Sequence, residues 1–333
     1  MYDFVAIGDA TLDVFMQLDD ANVMCDIDKH NCKLCLNYGD KIAAKRTDFI
    51  IGGNAANAAV GARRLNLSSA FMGTIGNDDT GKQVQNVFHT EGVSTEYLTI
   101  EKDQKTNYSV VINFQGERTI LLNHIPRTYH WNIAQAPRWI YLTSMGEGFE
   151  AIYDKVIGLV REKHTMLAYN PGTHQLKKGL AFLKPSIAAA TLFFVNKEEA
   201  ILLLGADTHI TMSELLKRVK ALGPEVVVIT DGPKGSYVYN GSEMYQLDIF
   251  DGPVIERTGC GDSFATAFTV AFAEGKTIPE AMLWGNANST SVLAHIGPQA
   301  GLLDRAGIEK LIAKNPTIQP KVLLAASATV VHS

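Results

Sequence analysis

The chain of 333 residues is 46% hydrophobic and 20% charged, with a formal net charge of −5 at pH 7. That length suits one large domain with a small appendage, and the composition is that of a folded chain rather than a disordered one. The acidic balance lacks any Lys/Arg-rich run, which argues against a nucleic-acid partner, and Asp9 and Asp13 interrupt the apolar N-terminal stretch, which argues against a signal peptide or a membrane span. A cytoplasmic protein is expected. Three of the four cysteines crowd between positions 25 and 35, unlike the spread framework of a small secreted fold, so reduced thiols are expected too.

In chain order, YDFVAIG at 2–8 reads as a buried strand that opens an α/β domain. GGNAANAAVGARRLN from 52 has helical spacing after a glycine start, SSAFMGTIG at 68–76 reads as the next strand, and a second helix is expected from Asp79 to about Gly92. Between 94 and 122 the runs TNYSVVINF and ERTILLN alternate around a QGE turn, which predicts a small hairpin layer. Residues 16–51 are too many for a plain loop and should add strands to that layer, making a lid. From 139 the strand-like runs WIYLT, TMLAYN, TLFFVN and EVVVIT alternate with helical segments, which predicts a parallel sheet with ligands at its strand carboxyl ends. Two helices are expected at 259–274 and 278–294, split by GKTIP, and the apolar tail 316–333 has no assignable place.

The stretch IERTGCGDSFATAFTVAF at 255–272 carries the sharpest chemistry. Phe264, Phe268 and Phe272 recur every four residues, so one face of a helix is buried and the glycines fall at its N-terminus. There the unpaired N–H groups and the positive end of the helix dipole favour an anion, and Gly259 and Gly261 let it approach the backbone. Asp262 is then either a helix cap or a base that takes a hydroxyl proton as that hydroxyl attacks phosphorus. The stretch alone leaves both open.

Five segments in order, GGNAANAAVGARRL (52–65), GNDDTG (76–81), NKEEA (196–200), VVVITDGPKGSYVY (226–239) and TGCGDSF (258–264), resemble the ribokinase (PfkB-type) carbohydrate kinase family over about residues 3–303. The resemblance implies a ribokinase-like α/β fold: a three-layer α/β/α domain over 1–315, with a mainly parallel central sheet and a small β lid inserted at about 16–51 and 94–122. It implies an ATP-dependent kinase, with Mg2+ accompanying ATP, acting on a hydroxymethyl group of a sugar or sugar-like substrate. It also implies a homodimer through the lid, as in many relatives. By the same resemblance Asp262 is the catalytic base, and the N–H groups of Gly259, Cys260 and Gly261 form the anion hole. Cys260 stands where the family usually has alanine, so no thiol chemistry is implied.

Asp13 matches a sugar-hydroxyl ligand, and Gly53, Asn54 and Asn57 match the segment that approaches the sugar; turn and helix-cap roles are the alternatives. Asn196 and Glu199 match the N-x-x-E pattern that organises Mg2+ and its waters, although a capping box explains the same spacing. Thr230, Gly232 and Gly235 resemble the nucleotide-binding turn, and Asn286 resembles an adenine-side residue, with Asn288 as the alternative. GNDDTGKQ imitates a P-loop, but Gln83 replaces the hydroxyl and two aspartates would repel phosphate, so it reads as a strand-to-helix turn.

Two departures stand out. The family's D-T-x-G-A-G-D is here Glu256 to Asp262, with Arg257 either contacting phosphate or pairing with an acid such as Glu256. This puts in doubt the monovalent-cation site that some relatives build beside the loop. CDIDKHNCKLC at 25–35 offers Cys25, His30, Cys32 and Cys35 as zinc donors, in a spacing unlike the common paired knuckles. Within the same family a nucleoside kinase is the competing activity. A non-catalytic sugar or nucleotide sensor is the competing class, and the presence of Asp262 speaks against it.

Overall fold

A computed structural model describes residues 1–26, 32–115 and 117–324. The first strand, β1 (Phe4–Ile7), leads into β2 (Thr11–Leu18), the hairpin β3 (Asn22–Cys25) and β4 (Cys32–Cys35), and β5 (Ala44–Gly52). Next come α1 (Asn54–Arg64), β6 (Ser69–Gly76), α2 (Asp79–Glu91), β7 (Ser94–Glu101), β8 (Asn107–Phe114) and β9 (Glu117–Asn123). The central part runs β10 (Trp139–Leu142), α3 (Glu150–Lys163), β11 (Met166–Tyr169), α4 (Thr173–Lys177), α5 (Leu180–Ala189), β12 (Leu192–Asn196), α6 (Lys197–Leu204) and α7 (Met212–Lys220). The last part holds β13 (Val226–Thr230), β14 (Ser236–Tyr239), β15 (Met244–Leu247), α8 (Cys260–Ala273), α9 (Ile278–Leu293), α10 (Arg305–Lys314) and β16 (Lys321–Leu324).

Ten strands form one sheet in the order β16-β15-β14-β13-β12-β11-β10-β1-β6-β7, parallel from β7 to β13 and antiparallel beyond. Side chains alternate between its two faces. Phe4, Tyr141, Phe194 and Val228 pack under α1, α2, α8, α9 and α10, whereas Ile7, Leu142, Phe193 and Ile229 pack under α3, α5, α6 and α7. Burial on both faces is why these strands read as unbroken apolar runs. The layer order is that of the expected α/β/α fold.

The lid is a four-stranded sheet, β5-β2-β8-β9. Its period of two sets its chemistry: Thr11, Asp13, Ser109, Val111, Arg118, Ile120 and Leu122 line the large cavity, while Val14, Phe49, Val110 and Leu121 form a row on the opposite face. Four expectations need correction. β7, expected in the lid, pairs with β6 as an edge of the main sheet. β3 and β4 stand apart as a two-stranded pair. Cys25 and Cys32 face each other across that pair and form a disulfide, so these thiols are not reduced. That bond removes two of the four zinc donors; His30 lies outside the described residues, and no cluster of three metal-binding side chains occurs among the described ones.

The fourth correction concerns the tail. Within 316–333, β16 continues the main sheet by pairing with β15, and Lys321 bonds to Asp248 at 2.6 Å; residues from 325 lie outside the described part, as does Gly116 of the QGE turn. The side chains of β16 are exposed, so its contribution is mostly edge pairing. A chain ending at residue 315 should therefore fold, with stability lower by about 1–2 kcal/mol. Chemical denaturation of the two lengths would check this; a truncated chain that does not fold would make the tail part of the core.

Candidate active site

Small residues bring two distant helices together. The face of α1 that carries Ala55, Ala58, Ala59 and Ala62 is buried, and a Cβ added at Gly61 would come within 3.2 Å of Thr266 on α8. At that approach Asn57 donates from Nδ2 to Oδ2 of Asp262, at 2.9 Å across 205 residues of sequence. α8 starts at Gly259, whose φ of 80° suits glycine and whose added Cβ would lie 2.3 Å from that of Pro298. No side chain caps α8. Because Asp262 bonds to Asn57 instead of its own helix, the capping alternative falls away.

A cavity of about 910 Å3 opens beneath the lid at the carboxyl ends of β1 and β10 to β13. Asp13, Gly53, Asn54, Asn57, Asn196, Glu199, Thr230, Gly232 and the Gly259–Asp262 loop all line it. Gly235 and Asn286 line a second cavity of about 190 Å3 instead. Thr230, Gly232, Cys260 and Gly261 belong to both, so the glycine loop is where the two spaces meet.

Residues 15–305 match the profile described as "pfkB family carbohydrate kinase". The chain belongs to this family. It is 26% identical to the ribokinase of Bacillus subtilis (strain 168) over 281 residues, covering 83% of this chain and 92% of that one. It is 21% identical to the nucleoside kinase of Methanothermobacter thermautotrophicus, covering 91% of this chain and 93% of that one. Among solved structures, an Arabidopsis thaliana ribokinase complexed with ribose and ATP superposes with a TM-score of 0.75 at 22% identity, covering 93% of this chain and 98% of that one. A Burkholderia thailandensis nucleoside kinase in complex with inosine gives 0.76 at 20%, covering 95% of this chain and all (100%) of that one. Members of the family are ATP-dependent phosphotransferases, and at these identities the superpositions speak for the fold.

In this member of the pfkB family the acids of the site are held against their preference. Burial pushes the Asp262 carboxyl up to about 6; the Asn57 bond opposes that, and the charges of Glu199 and Asp13 add to it. Asp13 is likewise raised to about 6 by burial, against bonds from Thr11 and Ser109. Asn196 and Glu199 do form a reciprocal capping box, at 2.8 and 2.9 Å. Those bonds use one oxygen of Glu199 and leave the other for a cation or its water, and burial raises this carboxyl as well. The cap of α1 is Gly53 without a side-chain bond, so Asn54 is not a capping residue. Asn288 is spent on Ser263 and Leu303, whereas Asn286, bonded to the Asp248 carbonyl, lines the smaller cavity.

Three groups escaped sequence reasoning. Gln299 donates to Oδ1 of Asn57 at 3.1 Å, and Arg64 holds the Gln299 carbonyl at 2.7 Å. With its oxygen engaged, the Asn57 amide is oriented to donate to Asp262. Arg118 of the lid pairs with buried Glu256 at 3.7 Å, which also accepts from Thr258; the acid's partner is thus not Arg257, which stays exposed at the cavity rim. Asp9 is the third. No motif marked any of them, because each is a long-range pairing.

The carboxyls give two expectations. For Asp262 to act as a base it must be ionised, and in that role turnover should fall as pH drops through about 6. Asn57→Ala removes the bond that holds Asp262 down and should move that limb upward with about a tenfold loss of kcat, and Gln299→Leu should act in the same direction but less. A pH–rate profile unchanged in both variants would break the relay. For stability, the folded carboxyls sit above their unfolded value, so ionising them costs stability fully above about pH 6 and not at all below about pH 3.5. Asp262→Asn should accordingly gain about 1–3 kcal/mol at pH 8 and nothing at pH 3.5, as read by denaturation at the two pH values.

Proposed function

We propose that this kinase transfers the γ-phosphoryl group of ATP to a hydroxymethyl group of a sugar or sugar-like substrate held under the lid. The observation that carries the reading is the location of Asp262. It is a buried carboxylate in the first turn of α8, where the larger and smaller cavities meet. The acceptor lies in the larger cavity against Asp13, Gly53, Asn54 and Asn57, and the nucleotide extends toward Thr230, Gly232, Gly235 and Asn286. Asp262 takes the proton of the attacking hydroxyl, and the N–H groups of Gly259, Cys260 and Gly261 receive the charge on the transferred group.

Asn196 and Glu199 would hold Mg2+ through water, and an oxygen-donor pair with one carboxylate oxygen to spare suits that ion. When bound, Mg2+ supplies charge neutralisation on the nucleotide phosphates. Arg118 and Arg257 bring positive charge to the same rim. Arg118 already bridges the lid to the loop segment through Glu256 and would couple lid closure to the anion hole. Cys260 keeps its thiol protonated because burial raises it, which supports a backbone role alone.

A sugar is favoured over a nucleoside by what the lid presents. Its cavity-facing row holds Ser109, Val111, Arg118, Ile120 and Leu122; Tyr108 lies on the other face, and no Phe, Tyr or Trp of the four lid strands lines this cavity. The opposite lid face leaves Phe49 and Leu121 exposed at 66% and 55%, which suits a second copy of the chain and a homodimer. No described helix is long and apolar enough to cross a membrane.

The test is ADP release from ATP and Mg2+ against ribose, fructose, adenosine, guanosine and cytidine. A sugar should be turned over, with Asp262→Asn lowering kcat by about three to five orders of magnitude while ATP binding is kept. Near-normal turnover in the variant would remove Asp262 from the mechanism, and a response to nucleosides alone would reverse the choice of substrate.

A further inference from the structure

Asp9 follows the end of β1 by two residues and lines the larger cavity, yet it is only 3% exposed. Its Oδ1 accepts from the Tyr129 hydroxyl at 2.7 Å, and that hydroxyl accepts in turn from the Gly146 N–H at 2.8 Å. The tyrosine proton is thereby committed to Asp9, and the orientation of the carboxyl is fixed. The second oxygen, Oδ2, is buried without a hydrogen bond of good geometry; the nearby Gly146 N–H acts on the carboxyl but is aimed at the tyrosine oxygen. Gly146 keeps that spot open, since a Cβ there would lie 3.1 Å from the tyrosine oxygen and 3.7 Å from Oδ2. A buried carboxylate oxygen with no well-aligned donor costs free energy that a structural role would not require.

The acids of the cavity have different neighbours. Asp13 and Glu199 are close enough to act on Asp262, whereas the charges acting on Asp9 are those of His124 and Arg127. Asp9 lines the same cavity as Asp262 beside Tyr129 and Gly146, where a part of the substrate other than the reacting hydroxymethyl would rest. Arg127 acts on Asp9 through its charge and not through a hydrogen bond: its Nη atoms are engaged by Glu101 and the Lys105 carbonyl, its Nε is buried without a partner, and neither it nor His124 donates to Asp9.

We propose that the Asp9–Tyr129–Gly146 cluster is a specificity subsite that takes a hydrogen-bond donor, a neutral hydroxyl or amine, on a part of the substrate other than the reacting hydroxymethyl. The inference rests on the larger cavity being the acceptor site of the proposed reaction. It narrows the substrate to polyhydroxy compounds uncharged at that point, because an acid or a phosphate ester there would set an anion against a buried carboxylate. A site built to bond a hydroxyl also rejects the analogue that lacks it, through the oxygen left unpaired.

Binding by titration calorimetry, without ATP, tests this on the full chain. The probes are ribose and fructose as neutral ligands and ribonate and gluconate as acids, against wild type, Asp9→Asn and Asp9→Ala. Wild type should bind the better neutral probe at least tenfold more tightly than either acid, Asp9→Ala should weaken that neutral probe about 10–100-fold, and Asp9→Asn should narrow the preference. Melting temperatures at or above wild type would show that the variants remain folded. Neutral affinities within twofold in both variants would overturn the subsite and leave a bound water as the partner of Oδ2. Wild type that binds no neutral probe, or prefers the acids, would overturn it as well. Turnover is read separately: neutral probes that bind through Asp9 without ADP release would sink the kinase reading and keep the subsite.

Discussion

The hydrogen bond from Asn57 to Asp262 is the constraint on which the rest of the site depends. It joins α1 to α8 across 205 residues, and it exists only because small side chains let the two helices approach. Two further contacts hold the same junction. Pro298 sits against both Gly259 and Gly52, so a methyl group at either glycine would collide with it or with Asp13. Gln299, next in sequence, fixes the Asn57 amide. The loop after α9 thus braces the base, the anion loop and the lid strand at one point.

Electrostatics explains why so much bracing is present. Asp13, Glu199 and Asp262 are acids crowded on one cavity, and burial raises all three above their ordinary range. Such a cluster is unfavourable in the empty protein and becomes useful when a hydroxyl proton has to be taken. The positive side of the balance comes from the α8 N-terminus and from Arg118 on the lid. Arg118 therefore links the four-stranded lid sheet to the segment that leads into α8.

The parallel strands were legible because residues such as Phe193 and Phe194 face opposite cores, and burial on both sides leaves an apolar run with clear ends. The helix ends were legible from Gly92 and from GKTIP, where Gly275 follows α8 with a φ of 82° and Pro279 stands in the first turn of α9. β7 was misplaced since STEYLTIE alternates like a lid strand, being an edge with one face in solvent. The disulfide was hidden because only the register of β3 against β4 sets Cys25 opposite Cys32. Asp262, Asp13 and the glycine loop could be read from local motifs; Gln299 and Arg118 could not, as their meaning lies in partners 242 residues away and across the lid.

The central claim is that Asp262 stands between acceptor and nucleotide, held there by Asn57. A crystal structure with a bound sugar and a non-hydrolysable ATP analogue would test it most directly. The account predicts the acceptor hydroxymethyl oxygen within about 3 Å of the free Asp262 oxygen and the terminal phosphate on the N–H groups of Gly259 to Gly261, with the Asn57 bond intact. An acceptor hydroxyl far from Asp262, or phosphates bound away from the α8 N-terminus, would contradict it.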